Sequence, residues 1–240
     1  MRVLILGGTA EARLLAAQLD ERGYDVTTSL AGRTDHPSLP AGQLRVGGYG
    51  PGGLAEYLWT ESFEQLIDAT HAFSVTISAT AVEAARETGV PLIRLQRPGW
   101  KATDGDDWRR VPDLAAAAAY VAKSPAGMVF LTTGRRGLSA FAADSGHDFL
   151  LRMATEPDEA LPPRSQLIVS RGPFTLPEEK ALLDEHQVRL LVTKDSGGDA
   201  TEPKLTAARE LGLPVVMIDR PSVPQADTIV ASVAEVLLVI

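Results

Sequence analysis

Short, almost wholly apolar runs recur along the chain, with amphipathic stretches between them. In the first half such runs predict strands at about 2–6, 25–29, 64–68 and 92–95. In the second half they predict strands at about 128–132, 148–153, 166–170, 189–193 and 215–218. Val3-Leu4-Ile5-Leu6 shows the character of the set: apolar side chains point to both faces, as in strands covered on both sides in a parallel sheet. The stretch at about 10–22 carries Ala12, Leu15 and Leu19 at helical spacing and ends before Gly23, which predicts an amphipathic helix. Further helices are expected to open at Leu54 and to span about 113–123 and 226–238. Strand and helix alternate throughout, so the fold class is α/β with parallel sheets.

The pattern is also a repeat. Ala84-Ala85-Arg86-Glu87-Thr88-Gly89-Val90-Pro91 is echoed by Ala207-Ala208-Arg209-Glu210-Leu211-Gly212-Leu213-Pro214. Each copy then runs through a short apolar strand to Arg-Pro, at Arg97-Pro98 and Arg220-Pro221. The physical unit is a helix closed by a left-handed glycine, a buried strand, and a stop at proline. Upstream, Leu66-Ile67-Asp68-Ala69-Thr70-His71 aligns with Arg189-Leu190-Leu191-Val192-Thr193-Lys194, and Val3-Leu4-Ile5-Leu6-Gly7-Gly8 parallels Val129-Phe130-Leu131-Thr132-Thr133-Gly134. Two similar domains are expected, 1–124 and 125–240, divided at the turn-rich Ser124-Pro125-Ala126-Gly127.

Composition narrows the chemistry. With no cysteine, disulfides and thiol nucleophiles are excluded, and His36, His71, His147 and His186 lack ligand spacing, so no metal is expected. A net charge of −8 without a basic run argues against nucleic acid as a partner. The opening MRVLILGGTAEARLL is too short in its apolar run for a signal peptide, and no stretch is long enough to span a membrane. A cytoplasmic monomer is the expectation.

Gly7-Gly8-Thr9-Ala10-Glu11 joins the first strand to the first helix, where backbone N–H groups at the positive helix end suit a phosphate. The spacing is not G-x-G-x-x-G, and a tight turn without a ligand is the plain alternative. The second strand ends in Ser29-Leu30-Ala31-Gly32-Arg33. Dinucleotide-binding folds usually carry an acid there for the ribose 2′-hydroxyl. Ser29 and Arg33 instead offer donors to a 2′-phosphate, which favours NADPH over NADH; an exposed loop arginine is the bland alternative. A glycine-rich loop, Val46-Gly47-Gly48-Tyr49-Gly50-Pro51-Gly52-Gly53, precedes the second helix.

Asp68-Ala69-Thr70-His71 and Lys194-Asp195-Ser196-Gly197-Gly198 end equivalent strands of the two halves. If the halves face one another, these loops bring His71, Lys194 and Asp68 or Asp195 to one cleft. There His71 and Lys194 could bind carboxylates or move a proton; for His71 a capping or structural role is the plain alternative. Thr132-Thr133-Gly134-Arg135-Arg136 is a second glycine turn with two arginines suited to anionic groups; a solvated surface pair is the plain alternative.

In order along the chain, ILGGTAEARLLA (5–16), SLAGRT (29–34), LRVGGYG (44–50), IDATHAF (67–73), PLIRLQRPGW (91–100), FLTTGRRGLSAFA (130–142), LVTKDSGG (191–198) and KLTAARELGLPVVMIDRP (204–221) resemble the precorrin-6A reductase family. The resemblance implies two Rossmann-like domains with cofactor and substrate in the interdomain cleft. It also implies reduction by NADPH of one ring double bond of precorrin-6A, an anionic tetrapyrrole, without metal or flavin. On that footing Gly7, Gly8, Thr9, Ala10, Glu11, Ser29, Arg33 and Thr70 are expected at the cofactor. Asp68, His71, Arg135, Lys194, Ser196, Gly197, Gly198 and Lys204 are expected at the substrate, with His71 and Asp195 as carriers of a proton. One departure is Ala72, where the family usually has proline. Two alternatives stand beside this reading: the cobalt-containing form of the same substrate, and a regulatory module that binds NADPH without turnover. A short-chain carbonyl reductase is excluded, because no tyrosine has a lysine four residues later.

Overall fold

The central strands of each sheet are buried on both faces, and this is what the unbroken apolar runs encode. The structure, a computed structural model, describes residues 1–32, 40–157 and 159–240. The elements in chain order are β1 (Arg2–Leu6), α1 (Ala10–Glu21), β2 (Asp25–Leu30), β3 (Gln43–Val46), α2 (Gly53–Thr60), β4 (Gln65–Asp68), α3 (Val75–Thr88), β5 (Leu92–Leu95), β6 (Trp108–Val111) and α4 (Leu114–Val121). They continue with β7 (Met128–Thr132), β8 (Asp148–Met153), β9 (Ser165–Val169), α5 (Leu176–Glu185), β10 (Val188–Lys194), α6 (Pro203–Glu210), β11 (Val215–Ile218), β12 (Thr228–Val230) and α7 (Val233–Val239).

The strands form two six-stranded sheets, β12-β5-β4-β1-β2-β3 and β6-β11-β10-β7-β8-β9, in which every pairing is parallel. Read from the β3 and β9 edges, both follow the 3-2-1-4-5-6 order of a dinucleotide-binding sheet. The expectation of two Rossmann-like domains with parallel sheets is therefore met.

The boundary between them is not where the repeat suggests. The compact units are Met1–Pro98 with Ser222–Ile240, and Gly99–Pro221, rather than 1–124 and 125–240. The reason lies at the two Arg-Pro stops. After Pro98 the chain enters the second unit, where β6 pairs with β11, and after Pro221 it returns to the first, where β12 pairs with β5. The sixth strand and last helix of each unit thus come from the other half of the sequence. The helix expected at about 226–238 is shorter for the same reason: β12 occupies its start, and Ser232 caps α7 by accepting from Glu235 N–H at 3.2 Å.

In the first unit the core lies on both faces of the sheet. Val3 and Ile5 pack with Leu15 and Leu19 of α1 and Val233 and Val236 of α7, while Leu4 and Leu6 pack with Leu54 and Leu58 of α2 and Ala81 and Ala85 of α3. In the second unit Phe130, Leu191 and Met217 pack under Leu183 of α5 and Leu205 of α6. Among the described residues no helix is long and apolar enough to cross a membrane, and no cluster of acids and histidines could hold a metal ion.

Candidate active site

In an open parallel sheet, ligands sit beyond the carboxyl ends of the strands where the order reverses. In the first unit that switch point lies between β1 and β4. The Gly7-Gly8-Thr9 turn stands over it. Gly7 packs so closely that a Cβ would lie 2.8 Å from the Thr28 Cγ2 methyl on β2, and its N–H donates to the Ser29 carbonyl at 2.9 Å. Gly8 has φ +117°, and a Cβ there would meet open space, so the outer side of the turn is clear for a bulky group. Thr9 caps α1 by accepting from Ala12 N–H at 3.1 Å, and its hydroxyl donates to the Ala69 carbonyl at 2.8 Å. That pair of bonds ties the helix start to the end of β4, across the switch point.

Ala10 opens α1, and Glu11 lies in its first turn. Burial acts to raise the Glu11 pKa, but the 2.6 Å hydrogen bond from Arg97 and further donors outweigh it, and the group is held below its ordinary value. Oε2 of Glu11 is buried without a hydrogen-bond partner among the described residues.

The loop after β4 is set by a buried ion pair. Asp68 Oδ2 accepts from Arg94 Nε at 3.2 Å, and Oδ1 accepts from Thr70 N–H at 3.1 Å and from the Thr70 hydroxyl at 2.6 Å. Arg94 also donates to the carbonyls of Pro224 (2.8 Å) and Ser78 (3.3 Å). Both side chains are almost fully buried. Asp68, expected at the substrate, is therefore an inward-facing brace that shapes the Thr70-His71 turn. Next along, His71 Nδ1 accepts from Phe73 N–H at 3.2 Å, and Ser74 N–H donates to the His71 carbonyl at 2.7 Å. Phe73 keeps that N–H whether residue 72 is alanine or proline, so Ala72 leaves this contact intact. An Nδ1 that accepts places the proton of a neutral imidazole on Nε2.

At the ends of β2 and β3, Ser29 and Arg45 are paired neighbours in register. Arg45 Nη1 donates to the Gly47 carbonyl at 2.7 Å and lies 3.5 Å from Ser29 Oγ, while Nη2 donates to the Gly48 carbonyl at 3.1 Å. Its guanidinium lies 3.8 Å from the centroid of Tyr49 and 5.1 Å from that of Tyr57. The Tyr49 phenol is pushed above its ordinary pKa by burial, against the opposing pull of Ser29 and Arg45. Its hydroxyl is buried without a hydrogen-bond partner among the described residues. Arg33, expected beside Ser29, lies outside the described residues. Sequence reasoning missed Arg45; its signal was a lone cation one residue before the glycine-rich loop.

In the second unit the switch point lies between β7 and β10. Thr133 is buried there, its hydroxyl unsatisfied among the described residues, and Arg135 and Arg136 follow in the turn. Lys194 ends β10. Burial pushes its pKa down, and the neighbouring Arg136 pushes it further. A cation made less favourable by burial and by a second cation suits an incoming anion.

The rest of that loop is structural. Asp195 is buried, with Oδ1 accepting from Trp100 N–H at 2.9 Å and Oδ2 from Arg110 Nη2 at 2.8 Å. Its carbonyl accepts from Arg220 Nε at 2.8 Å. Asp195, expected as a proton carrier, thus serves as an acceptor that anchors the chain where it enters this unit. Ser196 closes the turn by donating its N–H to the Lys194 carbonyl at 2.7 Å; Gly197 and Gly198 take left-handed φ, and the Gly198 carbonyl accepts from the Trp100 indole at 3.2 Å. Lys204, expected at a substrate carboxylate, is 3% exposed. Its Nζ donates to the Thr201 carbonyl at 2.6 Å and sits 4.6 Å from the Trp100 ring centroid, so it stiffens the base of α6.

Fold and site together define a protein with two dinucleotide-type sheets, each with a glycine turn at its switch point. Comparison with known proteins is more specific. A family model described as "Precorrin-6x reductase CbiJ/CobK" matches residues 2–240. A precorrin-6A reductase from Rhodococcus erythropolis is 47% identical over 235 residues, covering 97% of this chain and 94% of that protein. A cobalt-precorrin-6A reductase from Priestia megaterium is 31% identical over 236 residues, covering 92% and 91%. A solved structure titled "CobK precorrin-6A reductase" superposes with a TM-score of 0.92 at 43% identity, over 99% of this chain and 94% of that one. The chain belongs to the precorrin-6x reductase family.

Proposed function

We propose that this chain reduces a ring double bond of precorrin-6A to give precorrin-6B, with NADPH as the reductant and NADP⁺ as the second product. The observation that carries the reading is the 47% identity, over nearly the whole length, to a protein named for the metal-free substrate, against 31% to one named for the cobalt form. The balance is precorrin-6A + NADPH + H⁺ → precorrin-6B + NADP⁺. When bound, the nicotinamide supplies the hydride.

The first unit fits that cofactor. Gly7, Gly8 and Thr9 would receive the pyrophosphate at the start of α1, where clear space lies outside Gly8 and N–H groups and the helix dipole favour negative charge. Ser29 would meet the adenosine 2′-phosphate, with Thr70 on the far side of the switch point. In the second unit Lys194, Arg135 and Arg136 would take carboxylates of the pigment by charge-assisted hydrogen bonds. His71 would donate from Nε2 to an acceptor of the substrate. With Nδ1 already accepting from Phe73, it orients the pigment rather than acting as a strong acid.

Anaerobic turnover with precorrin-6A, followed through NADPH absorbance and the pigment spectrum with NADH in parallel, tests the reading. Oxidation of NADPH coupled to a pigment change is expected, with NADH markedly poorer. NADPH binding without oxidation by either the metal-free or the cobalt form would sink it in favour of a binding module. A second test separates substrate binding from fold. Lys194→Met should raise the KM for precorrin-6A about 10- to 100-fold, the worth of a charged hydrogen bond. The thermal midpoint of the same variant, measured in parallel, separates a lost substrate contact from a lost fold. An unchanged KM would remove Lys194 from the site.

A further inference from the structure

We infer that Arg45, on β3, is the residue that selects a 2′-phosphorylated cofactor, and that Ser29 and Arg45 together form the phosphate seat. The inference rests on the nicotinamide-nucleotide reading given above and goes beyond it by naming the selecting group.

Three observations converge. First, in a 3-2-1-4-5-6 sheet the end of the second strand lies next to the adenosine ribose, and an acid there ordinarily takes the 2′-hydroxyl. Here that strand ends in Ser29-Leu30, with no acid, and Ser29 is directly paired in register with Arg45 on the next strand. A carboxylate is thus replaced by a hydroxyl and a guanidinium side by side, which reverses the preferred charge of the partner.

Second, Arg45 is fixed before any ligand arrives. Stacking on Tyr49 and the bonds to the carbonyls of Gly47 and Gly48 hold the guanidinium in one orientation. Those bonds use Nη1 and one hydrogen of Nη2. Nε and the second Nη2 hydrogen keep no protein acceptor among the described residues, and a phosphate can engage such a pair in a bidentate manner. The ordering entropy of a long side chain is then already met in the free protein.

Third, the Tyr49 hydroxyl is buried beside this pair and makes no hydrogen bond among the described residues. A buried hydroxyl without a partner is uncommon, and a phosphate oxygen would satisfy it. The plain alternative is that Arg45 only pins the glycine loop. A pin would matter equally to phosphorylated and unphosphorylated cofactors.

The test uses the full-length protein, with 2′,5′-ADP and 5′-ADP titrated calorimetrically and with NADPH and NADH compared in turnover. The wild type should bind 2′,5′-ADP at least tenfold more tightly than 5′-ADP. Arg45→Gln should cut that ratio, and the NADPH-to-NADH ratio of kcat/KM, by at least tenfold, with the loss carried by the KM for NADPH; Arg45→Lys should restore part of it. Equal weakening of both ligands, or an unchanged ratio, would overturn the inference. Should Arg45→Gln fail to fold, phosphorus NMR of 2′,5′-ADP bound to the wild type decides. The 2′-phosphate should titrate clearly below its free value of about 6, and an unshifted titration would overturn the seat. A wild type that binds neither nucleotide would remove the nicotinamide reading itself, and the inference with it.

Discussion

Removal of Ser222–Ile240 should abolish cofactor binding and unfold the first unit, although none of the deleted residues lies at the glycine turn. The segment supplies β12, which pairs with β5, and α7, whose Val233 and Val236 pack with Val3, Ile5, Leu15 and Leu19. Val230, Val233 and Val236 are at most 8% exposed. Burial of a valine contributes about 2 kcal/mol, so these three alone approach the roughly 5–15 kcal/mol that holds a typical domain together. Deletion also opens the ladder edge of β5 and removes Pro224, whose carbonyl accepts from Arg94. Asp227, which accepts from Leu92 N–H at 2.9 Å, goes with it. Hydrogen exchange should show loss of protection over β1, β4 and β5 in the truncated chain, together with loss of NADPH binding by calorimetry. A truncated protein that kept a cooperative transition for β1–β5 and bound NADPH would show that the returning strand is an accessory. Val236→Asp offers a milder version, since it buries an unpaired charge at a fully covered position.

That dependence was hidden in the sequence, for a definite physical reason. Hydrophobic runs report burial, and so β1, β4, β5, β7, β8, β10 and β11 were legible, as was α1 with its glycine turn. The repeat was legible because a helix ended by glycine and followed by proline leaves a local signature at Gly89 and Gly212. What no local signature carries is the identity of the sheet a strand joins. Trp108-Arg109-Arg110-Val111 and Thr228-Ile229-Val230 are edge strands, partly exposed and short, so their periodicity is weak. Both follow an Arg-Pro stop that reads identically in either half. Gln43-Leu44-Arg45-Val46 was missed as a strand on the same ground of edge exposure, and Arg45 with it.

The placement of the candidate site's loops was legible, and the contacts of its side chains less so. Gly7, Gly8, Thr9, Ser29 and Thr70 gather at one switch point, and Arg135 and Lys194 at the other, because turn chemistry and strand order dictate both. Asp68 and Asp195, at strand ends, and Lys204, at the start of α6, looked like functional groups because each is an ionisable residue near the loops that face a ligand in such sheets. Their partners, Arg94, Trp100 with Arg110, and Thr201 with Trp100, become neighbours only in the folded chain. For Asp68 a clue was available. Arg94 stands alone in Leu92-Ile93-Arg94-Leu95, a strand buried throughout, and an isolated charge in such a run requires a buried counter-charge.

Arg94→Met should therefore destabilise the first unit by about 3–5 kcal/mol, since it leaves the Asp68 carboxylate buried without its cation. For a unit of this size that corresponds to a fall in melting temperature of roughly 10–20 °C. The sign of the second step is the sharper test. Asp68→Asn introduced into the Arg94→Met background removes the orphaned charge while keeping an acceptor for Thr70 N–H, so the double variant should be more stable than Arg94→Met alone. A simple packing defect at position 94 would instead add to the cost of the second change. The cofactor should report the same pair through geometry, because Asp68 sets the Thr70-His71 turn and Thr9 is bonded to Ala69 one residue earlier. In the double variant the fold should recover ahead of the cofactor: the melting temperature should return most of the way while NADPH affinity stays several-fold weak, since an amide holds the Thr70 hydroxyl less firmly than a carboxylate does. Arg94→Met within about 1 kcal/mol of the wild type would show that Asp68 is compensated by another group and that the brace lies elsewhere.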